Sequence, residues 1–85
     1  MGPKKLKEKE IKVKLFLEKS TNLTDLIKEI KGRKLGVKHL KIKEEAEDIL
    51  ISCLVTTYKG IYTTDIYYDL KSINGVNQVE VESVE

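Results

Sequence analysis

The stretch Ile49-Leu50-Ile51-Ser52-Cys53-Leu54-Val55 decides the fold of this chain. Its odd-numbered residues form a wholly apolar row at a period of two, which is typical of a β-strand with one face in a core. Its even-numbered residues form a second row that is still half apolar. An edge strand with a solvated face would be polar on that second row, so the pattern predicts a central strand with neighbours on both sides.

Length, composition and charge limit the classes of function. Eighty-five residues, 40% hydrophobic and 35% charged, fit one small domain with a single core and room for a shallow surface site. The 16 basic and 14 acidic residues leave a formal net charge of +2. A nucleic-acid-binding domain would need a larger, clustered basic excess, so we expect no nucleic-acid partner.

The single cysteine, Cys53, indicates the redox compartment. One cysteine cannot form an internal disulfide, and we expect a buried, unreactive thiol in a reducing, cytoplasmic environment. No stretch approaches the ~18 consecutive apolar residues of a membrane span, and the start lacks the apolar core of a signal peptide. The chain by itself is therefore predicted to be soluble.

The start of the chain differs in composition from the rest. Residues 1–10 are predicted to be a charged lead-in or linker, and residues 11–85 a single domain. The lead-in fits a solvated tail, or a basic segment that follows a membrane span on the cytoplasmic side. Alternation from Ile11 then predicts a strand through Leu17, on whose outer face Phe16 is an apolar exception.

The remaining elements follow from periodicity and turn residues. A first helix begins after Asn22, and of two possible glycine ends, Gly32 and Gly36, we favour the later one, which places the end near Leu35. The segment 37–43 predicts a strand with Leu40 and Ile42 inward and with three residues outward: His39, Lys41 and Lys43. An acidic turn, a second helix closed by Asn74-Gly75, and a last strand with Val79 and Val81 inward complete the order.

Two strand-helix-strand halves joined by a hairpin can bury both helices only on one face of a single sheet. The predicted fold is α+β: a ferredoxin-like βαββαβ sandwich, with a four-stranded antiparallel sheet and two helices on one face. Its usual strand order, fourth-first-third-second, sets Glu80 and Glu82 beside Lys12 and Lys14. Each such cross-strand pair contributes about 0.2–1 kcal/mol.

Two passages carry a resemblance to a known family. They are Gly36-Val37-Lys38-His39-Leu40-Lys41-Ile42 and Asp69-Leu70-Lys71-Ser72-Ile73-Asn74-Gly75-Val76-Asn77-Gln78-Val79-Glu80-Val81. They resemble ACT-like domains, and more narrowly the soluble C-terminal domain of MgtC/SapB-family bacterial membrane proteins. The resemblance implies a non-catalytic regulatory or interaction domain on the cytoplasmic side of a membrane-embedded parent, in a family associated with magnesium limitation. The alternative that it implies is an ACT domain that senses an amino acid or another small molecule.

Candidate ligand contacts lie in the loop before the first helix. Ser20, Thr21 and Asn22 are the conceivable contacts, and helix capping is the competing role for the same side chains. Amino-acid-binding ACT domains usually carry a glycine in this loop, which lets the backbone approach the ligand, and this chain has none there. That departure weakens the amino-acid-sensing alternative.

Other protein classes that use this fold are disfavoured because this chain lacks the residues that their functions need. Heavy-metal chaperones need a paired-cysteine loop, acylphosphatases an arginine in the first loop, and RNA-recognition motifs aromatic residues on the central strands. His39 lies among lysines, without an acid or cysteine at catalytic or metal-ligand spacing. We therefore predict no catalytic residue, no metal site and no cofactor. The tyrosines fit core and rim packing, with ligand stacking as the alternative: Tyr58, Tyr62, Tyr67 and Tyr68.

The face of the sheet away from the helices is the predicted interaction surface. Phe16, Leu50 and Leu54 should be neighbours there, between the charged rows of the edge strands. An apolar patch rimmed by charge is the usual mark of a protein contact. We expect a homodimer, or docking to another domain, through these three residues.

Overall fold

The elements run β1 (Glu8–Glu18), α1 (Leu23–Gly32), β2 (Gly36–Glu44), β3 (Asp48–Tyr58), α2 (Thr63–Lys71) and β4 (Val76–Ser83). The computed structural model describes residues 8–33, 35–58 and 60–83. The strands form one antiparallel sheet in the order β2-β3-β1-β4. Both helices pack their apolar residues against one face of it. The predicted α+β ferredoxin-like βαββαβ fold is confirmed.

β3 is the central strand that its sequence predicted. It pairs with β1 from Glu8↔Tyr58 to Glu18↔Asp48, and with β2 on its other side. Ile51 and Val55 are fully buried on the helix side. The odd-numbered residues of β1 lie beside them and are likewise buried: Ile11, Val13, Leu15 and Leu17.

α1 ends earlier than the sequence suggested. Asn22 caps its start, since the Asn22 side chain accepts a hydrogen bond from the backbone N–H of Asp25 at 3.1 Å. The last helical residue is Gly32, so the end expected near Leu35 is wrong. Leu35 is instead a buried core residue in the connection, and β2 begins at the next position. Because Leu35 is buried in the connection and β2 begins at Gly36, the chain between the two elements is too short for another helical turn.

β2 contains a bulge that changes which side chains face the core. Lys38 pairs with Leu54 and Lys41 pairs with Ser52, so His39 and Leu40 together lie opposite Cys53. His39 has φ 53, the left-handed conformation that the first bulge residue adopts in one bulge class. Because the bulge inserts one residue, simple alternation fails here.

The expectation that Leu40 points into the core is therefore wrong, and for Ile42 the expected face is right but the expected burial is not. Leu40 belongs to the bulge and is 41% exposed. Ile42 does pair with Ile51 on the helix side, yet it is 52% exposed because β2 is an edge strand. Val37, paired with Val55 on that side, is the β2 residue that packs against the core.

The second half follows its prediction more closely. Ile66 and Leu70 are buried on α2, and Ile73 is buried just beyond its end. Gly75 closes the turn with φ 92. Among the described residues, no helix is long and apolar enough to cross a membrane.

Candidate functional site

The sheet face opposite the helices, here called the open face, carries the even-numbered residues of β1, β3 and β4. Its register sets Phe16 directly between Leu50 on β3 and Gln78 on β4. Leu54 lies four residues along β3 from Leu50, with Ser52 between them on the same face, and it pairs with Lys12 and Lys38. Phe16, Leu50 and Leu54 are all half-buried. The structure thus pairs two of the three predicted interface residues and sets the third apart, flanked by lysines.

The open face is basic along β2 and at Lys12 and Lys14 in the middle of β1, and acidic along β4. Lys12 pairs with Glu82 and Lys14 with Glu80 in the β1–β4 register, as predicted. These cross-strand neighbours nevertheless form no ion pair within 4.0 Å in the described part of the chain. A shallow hollow of about 340 Å³ opens between the two strands, so the two acids keep free carboxylate oxygens.

The lysines of β2 differ in how they are held. The Nζ of Lys38 lies 3.4 Å from a carboxylate oxygen of Glu10 on β1. The Nζ of Lys43 lies 3.4 Å from Glu45. Lys41, between them on the same face, has no carboxylate within ion-pair distance among the residues that the structure describes. The bulge at His39 and Leu40 turns all three lysines to the open face.

A second feature is a cavity of about 370 Å³ between the β1–α1 loop and the α2–β4 turn, here called the loop cavity. All three predicted ligand contacts line it: Ser20, Thr21 and Asn22. Three carboxylates also line it, from Glu18, Asp25 and Glu29. The cavity is therefore electronegative. Its ligand role stays a prediction, and of the three residues Asn22 acts as a helix cap.

Thr21 and Gly75 meet at the base of the loop cavity. The Thr21 Oγ1 is buried and has no hydrogen-bond partner within the described residues. A Cβ at position 75 would lie 2.8 Å from that oxygen. The backbone N–H of Glu18 donates to the Gly75 carbonyl at 3.0 Å, which fixes the two loops together. Only glycine fits this close approach at positive φ.

A larger and more apolar cavity, of about 640 Å³, was missed by the sequence reasoning. This helix-end cavity lies where the end of α1, the end of β3 and α2 converge. Leu35, Ile61, Tyr58 and Tyr68 are among its lining residues. Since these positions are distant in sequence, no local pattern could have indicated it.

The tyrosines around α2 divide into two groups. Tyr67 packs against the core and makes an edge-to-face contact with Tyr68, with ring centroids 5.2 Å apart. Tyr58, Tyr62 and Tyr68 are 52%, 72% and 69% exposed. Core packing therefore holds for one tyrosine, while Tyr58 and Tyr68 border the helix-end cavity.

Neither of the chemically notable side chains, Cys53 and His39, lies in a cavity described above. Burial raises the pKa of the Cys53 thiol to about 11, which keeps it protonated and unreactive at neutral pH. His39 is exposed on the bulge. Within residues 8–33, 35–58 and 60–83, no group of three or more His, Cys, Asp or Glu side chains is arranged to hold a metal ion.

The architecture, with its β1–α1 loop against the α2–β4 turn, is the ferredoxin-like, ACT-like fold. The chain is 33% identical to protein SapB of Bacillus subtilis strain 168 over 86 residues, which is 99% of this chain and 37% of SapB. It thus spans a little over a third of the length of that relative. The chain has an ACT-like fold and is similar in sequence to SapB and in fold to the C-terminal domain of MgtC. It matches no protein-family model.

Solved structures agree with this fold. The C-terminal domain of MgtC from Mycobacterium tuberculosis superposes with a TM-score of 0.66 at 9% identity, over 100% of this chain and 95% of that domain. The ACT domain of GTP pyrophosphokinase from Chlorobium tepidum superposes with a TM-score of 0.63 at 11% identity, over 93% of this chain and 89% of that domain. A chain from the complex of the chemotaxis kinase CheA P2 domain with the response regulator CheY of Thermotoga maritima superposes with a TM-score of 0.68 at 16% identity. The match covers 92% of this chain and 100% of that one. At these identities the likeness concerns the fold alone.

Proposed function

We propose that this chain is a non-catalytic regulatory and interaction domain of an MgtC/SapB-like membrane protein, and that the open face is its binding surface. The observation that carries the proposal is the apolar pair Phe16 and Leu50, which lies on a sheet face that neither helix covers. Lys43 pairs with Leu50 on one side and Gln78 with Phe16 on the other, and Lys14 is the next residue of β1 on this face. An apolar centre with a charged rim is the usual anatomy of a protein contact.

The likeness to SapB supports a larger parent. Because the chain spans 37% of SapB, the relative has a long remainder to which a domain like this one can dock. The lead-in carries Lys4, Lys5, Lys7 and Lys9, as expected for a segment on the cytoplasmic side of a membrane. We therefore place the domain at the cytoplasmic face of the membrane, acting in the response to magnesium limitation through protein contacts.

Two side chains support the non-catalytic part of the proposal. The Cys53 thiol, the strongest potential nucleophile, is buried and protonated. The only histidine, His39, is exposed on an edge-strand bulge. A nucleophile and a general base need to lie within hydrogen-bond reach of each other. Here one faces the core and the other solvent.

The test is a binding measurement between this chain and detergent-solubilised SapB from which the matched segment has been deleted. We expect saturable binding that Phe16→Lys abolishes, because a lysine cannot replace the apolar centre. Tyr62→Ser, a change at the exposed N-cap residue just before α2, is the matched control and should bind as the wild type does. Absence of binding, or binding that Phe16→Lys leaves intact, would contradict the proposal.

A second candidate function, small-molecule sensing, is favoured by the loop cavity. Its buried Thr21 Oγ1 lacks a partner among the described residues, and a ligand could supply one. The carboxylates of Glu18, Asp25 and Glu29 disfavour an anionic group and favour an amino group at that point.

Thermal unfolding in the presence of amino acids and simple amines distinguishes the two functions. A ligand that prefers the folded state raises the melting temperature by mass action. A dose-dependent rise that Thr21→Val removes would favour sensing through the loop cavity. An unchanged melting temperature across the panel would leave the interaction function as the better explanation.

A further inference from the structure

We infer that the helix-end cavity binds a small organic cation with an aromatic body, such as an arylalkylamine. The inference goes beyond the proposed function, because it gives the domain a ligand at a site apart from the open face: Phe16, Leu50 and Leu54 do not line this cavity. The helix-end cavity also shares no lining residue with the loop cavity. Tyr58 and Glu18 line one cavity each, at opposite ends of the pairing between β1 and β3.

The walls of the helix-end cavity suit the apolar body of such a ligand. Its volume of about 640 Å³ lies within the roughly 300–1,000 Å³ that is common for small-molecule sites. Leu35 before β2 and Ile66 on α2 both line it, and both belong to the buried core. Ile61, in the connection before α2, adds an exposed apolar side chain. A ligand would therefore rest mainly on side chains that the core already holds in place, which lowers the ordering cost of binding.

Two tyrosine rings at the cavity supply aromatic contacts. Tyr58 and Tyr68 both line it, and both are more than half exposed. The ring centroids of Tyr67 and Tyr68 lie 5.2 Å apart in an edge-to-face contact, which restricts the Tyr68 ring. The face of a tyrosine ring stacks on another aromatic group and attracts a cation within about 6 Å of its centre. Tyr58 and Tyr68 thus favour a ligand that is both aromatic and positively charged.

The charges at the cavity point the same way. Asp65 and Asp69 line it from α2, and Arg33 lines it from the end of α1. The charge of Arg33 is already matched by two carboxylates, Asp69 at 2.9 Å and Glu29 at 2.8 Å. Asp65 belongs to no ion pair within the described part of the chain, and the C-terminal end of α1 adds partial negative charge. The described residues therefore favour a cation over an anion, with Asp65 as its counter-ion.

A ligand in this cavity contacts three parts of the fold at once: the end of α1, the end of β3, and α2. Arg33 already bridges the two helices through its hydrogen bond to Asp69. A bound ligand adds a second bridge between the same elements. Because such a ligand prefers the folded chain, it raises the free energy of unfolding by mass action.

The test titrates three probes of similar shape into the isotope-labelled chain and follows its amide NMR shifts. The probes are phenethylamine as the cation, phenethyl alcohol as the neutral analogue and hydrocinnamate as the anion. We expect phenethylamine to give saturable shifts at the lining residues with a Kd of roughly 1–10 mM, as suits so small a molecule. It should bind at least about threefold more tightly than the alcohol, and hydrocinnamate should bind most weakly.

Two variants locate the charge and the aromatic contact. Asp65→Asn should reduce the affinity for phenethylamine to that for the alcohol and leave the affinity for the alcohol unchanged. Tyr68→Ala should weaken the binding of both probes. Asp25→Asn is the matched control, because Asp25 is the acidic residue in the first turn of α1 as Asp65 is in the first turn of α2. This control should bind phenethylamine as the wild type does.

The other outcomes overturn the inference. They are an absence of saturable shifts at the lining residues up to about 20 mM phenethylamine, and binding of the alcohol or of hydrocinnamate as tight as that of the amine. If the shifts appear at the loop cavity and Asp25→Asn removes them, the amine binds there instead. Circular dichroism checks that every variant folds. Binding to the truncated SapB is measured separately, so the proposed function stands or falls independently of this inference.

Discussion

The guanidinium of Arg33 donates a hydrogen bond from Nε to Asp69 Oδ1 at 2.9 Å, which joins the end of α1 to α2 across 36 residues. Its Nη1 donates to Glu29 Oε1 at 2.8 Å and to the Glu29 carbonyl at 3.1 Å. The hydrogen bonds that Arg33 donates to the carboxylates of Glu29 and then Asp69 raise the pKa of the Arg33 guanidinium. The single arginine of the chain therefore fastens the two helices together where the helix-end cavity opens.

Replacing Arg33 by alanine should destabilise the domain. We expect a loss of about 1 kcal/mol in the free energy of unfolding, because the pair is charge-assisted but partly solvated. Lys19→Ala is the matched control, since the Lys19–Glu44 pair is longer at 3.6 Å and more exposed. That control should change stability by less than about 0.5 kcal/mol. Urea unfolding measures the stability of both variants. Equal losses in the free energy of unfolding would show that the hydrogen bonds of Arg33 do not stabilise the contact between the helices.

Glycine-to-alanine changes at two positions should act in opposite directions. Gly75→Ala combines a positive φ with a Cβ 2.8 Å from Thr21 Oγ1, and we expect a loss of about 1–3 kcal/mol. Gly32 is the last residue of α1, and a Cβ at this position would have no atom within 4 Å. Gly32→Ala should therefore stabilise the folded domain by about 0.4–1 kcal/mol. Thermal unfolding of both variants checks the signs. A neutral Gly75→Ala would mean that the loop cavity adjusts freely.

The bulge in β2 can be tested at His39. Its φ of 53 suits glycine and strains a β-branched residue. His39→Gly should leave stability within about 0.5 kcal/mol of the wild type, whereas His39→Val should lose about 1–3 kcal/mol. Chemical unfolding compares the two. If valine is tolerated as well as glycine, β2 pairs without the bulge, and the charge rows of the open face change with it.

The buried thiol of Cys53 predicts a pH dependence. Its pKa rises from 9.0 to about 11 on folding, so between these values the unfolded chain has lost a proton that the folded chain keeps. Stability is therefore fully present below pH 9 and falls as the pH rises toward 11, by on the order of 2 kcal/mol. Cys53→Ala should lack this part of the alkaline loss. If the stability of the wild type and of Cys53→Ala falls in parallel as the pH rises, the Cys53 thiol is solvated in the folded protein.

Local sequence patterns determined the elements and their order. The apolar row and the half-apolar row of 49–55 identify β3 as central, because a period of two is a property of the strand alone, whatever its partners. Cap and stop residues act just as locally, which is why Asn22 located the start of the first helix and Asn74-Gly75 indicated the end of the second. The placement of Glu80 opposite Lys14 could be predicted once the fold was known, since its usual strand order sets β4 beside β1.

The tertiary structure alone decided the features that depend on register. Periodicity cannot reveal a bulge, so only the pairing of β2 with β3 shows that Lys38 joins Lys41 on the open face. The same register separates Leu54 from Phe16. The helix-end cavity exists because segments distant in sequence converge beside Arg33. A strand by itself fixes which of its residues share a face, but only its pairing with neighbouring strands fixes which residues lie side by side, and the open face of this chain is set by that pairing.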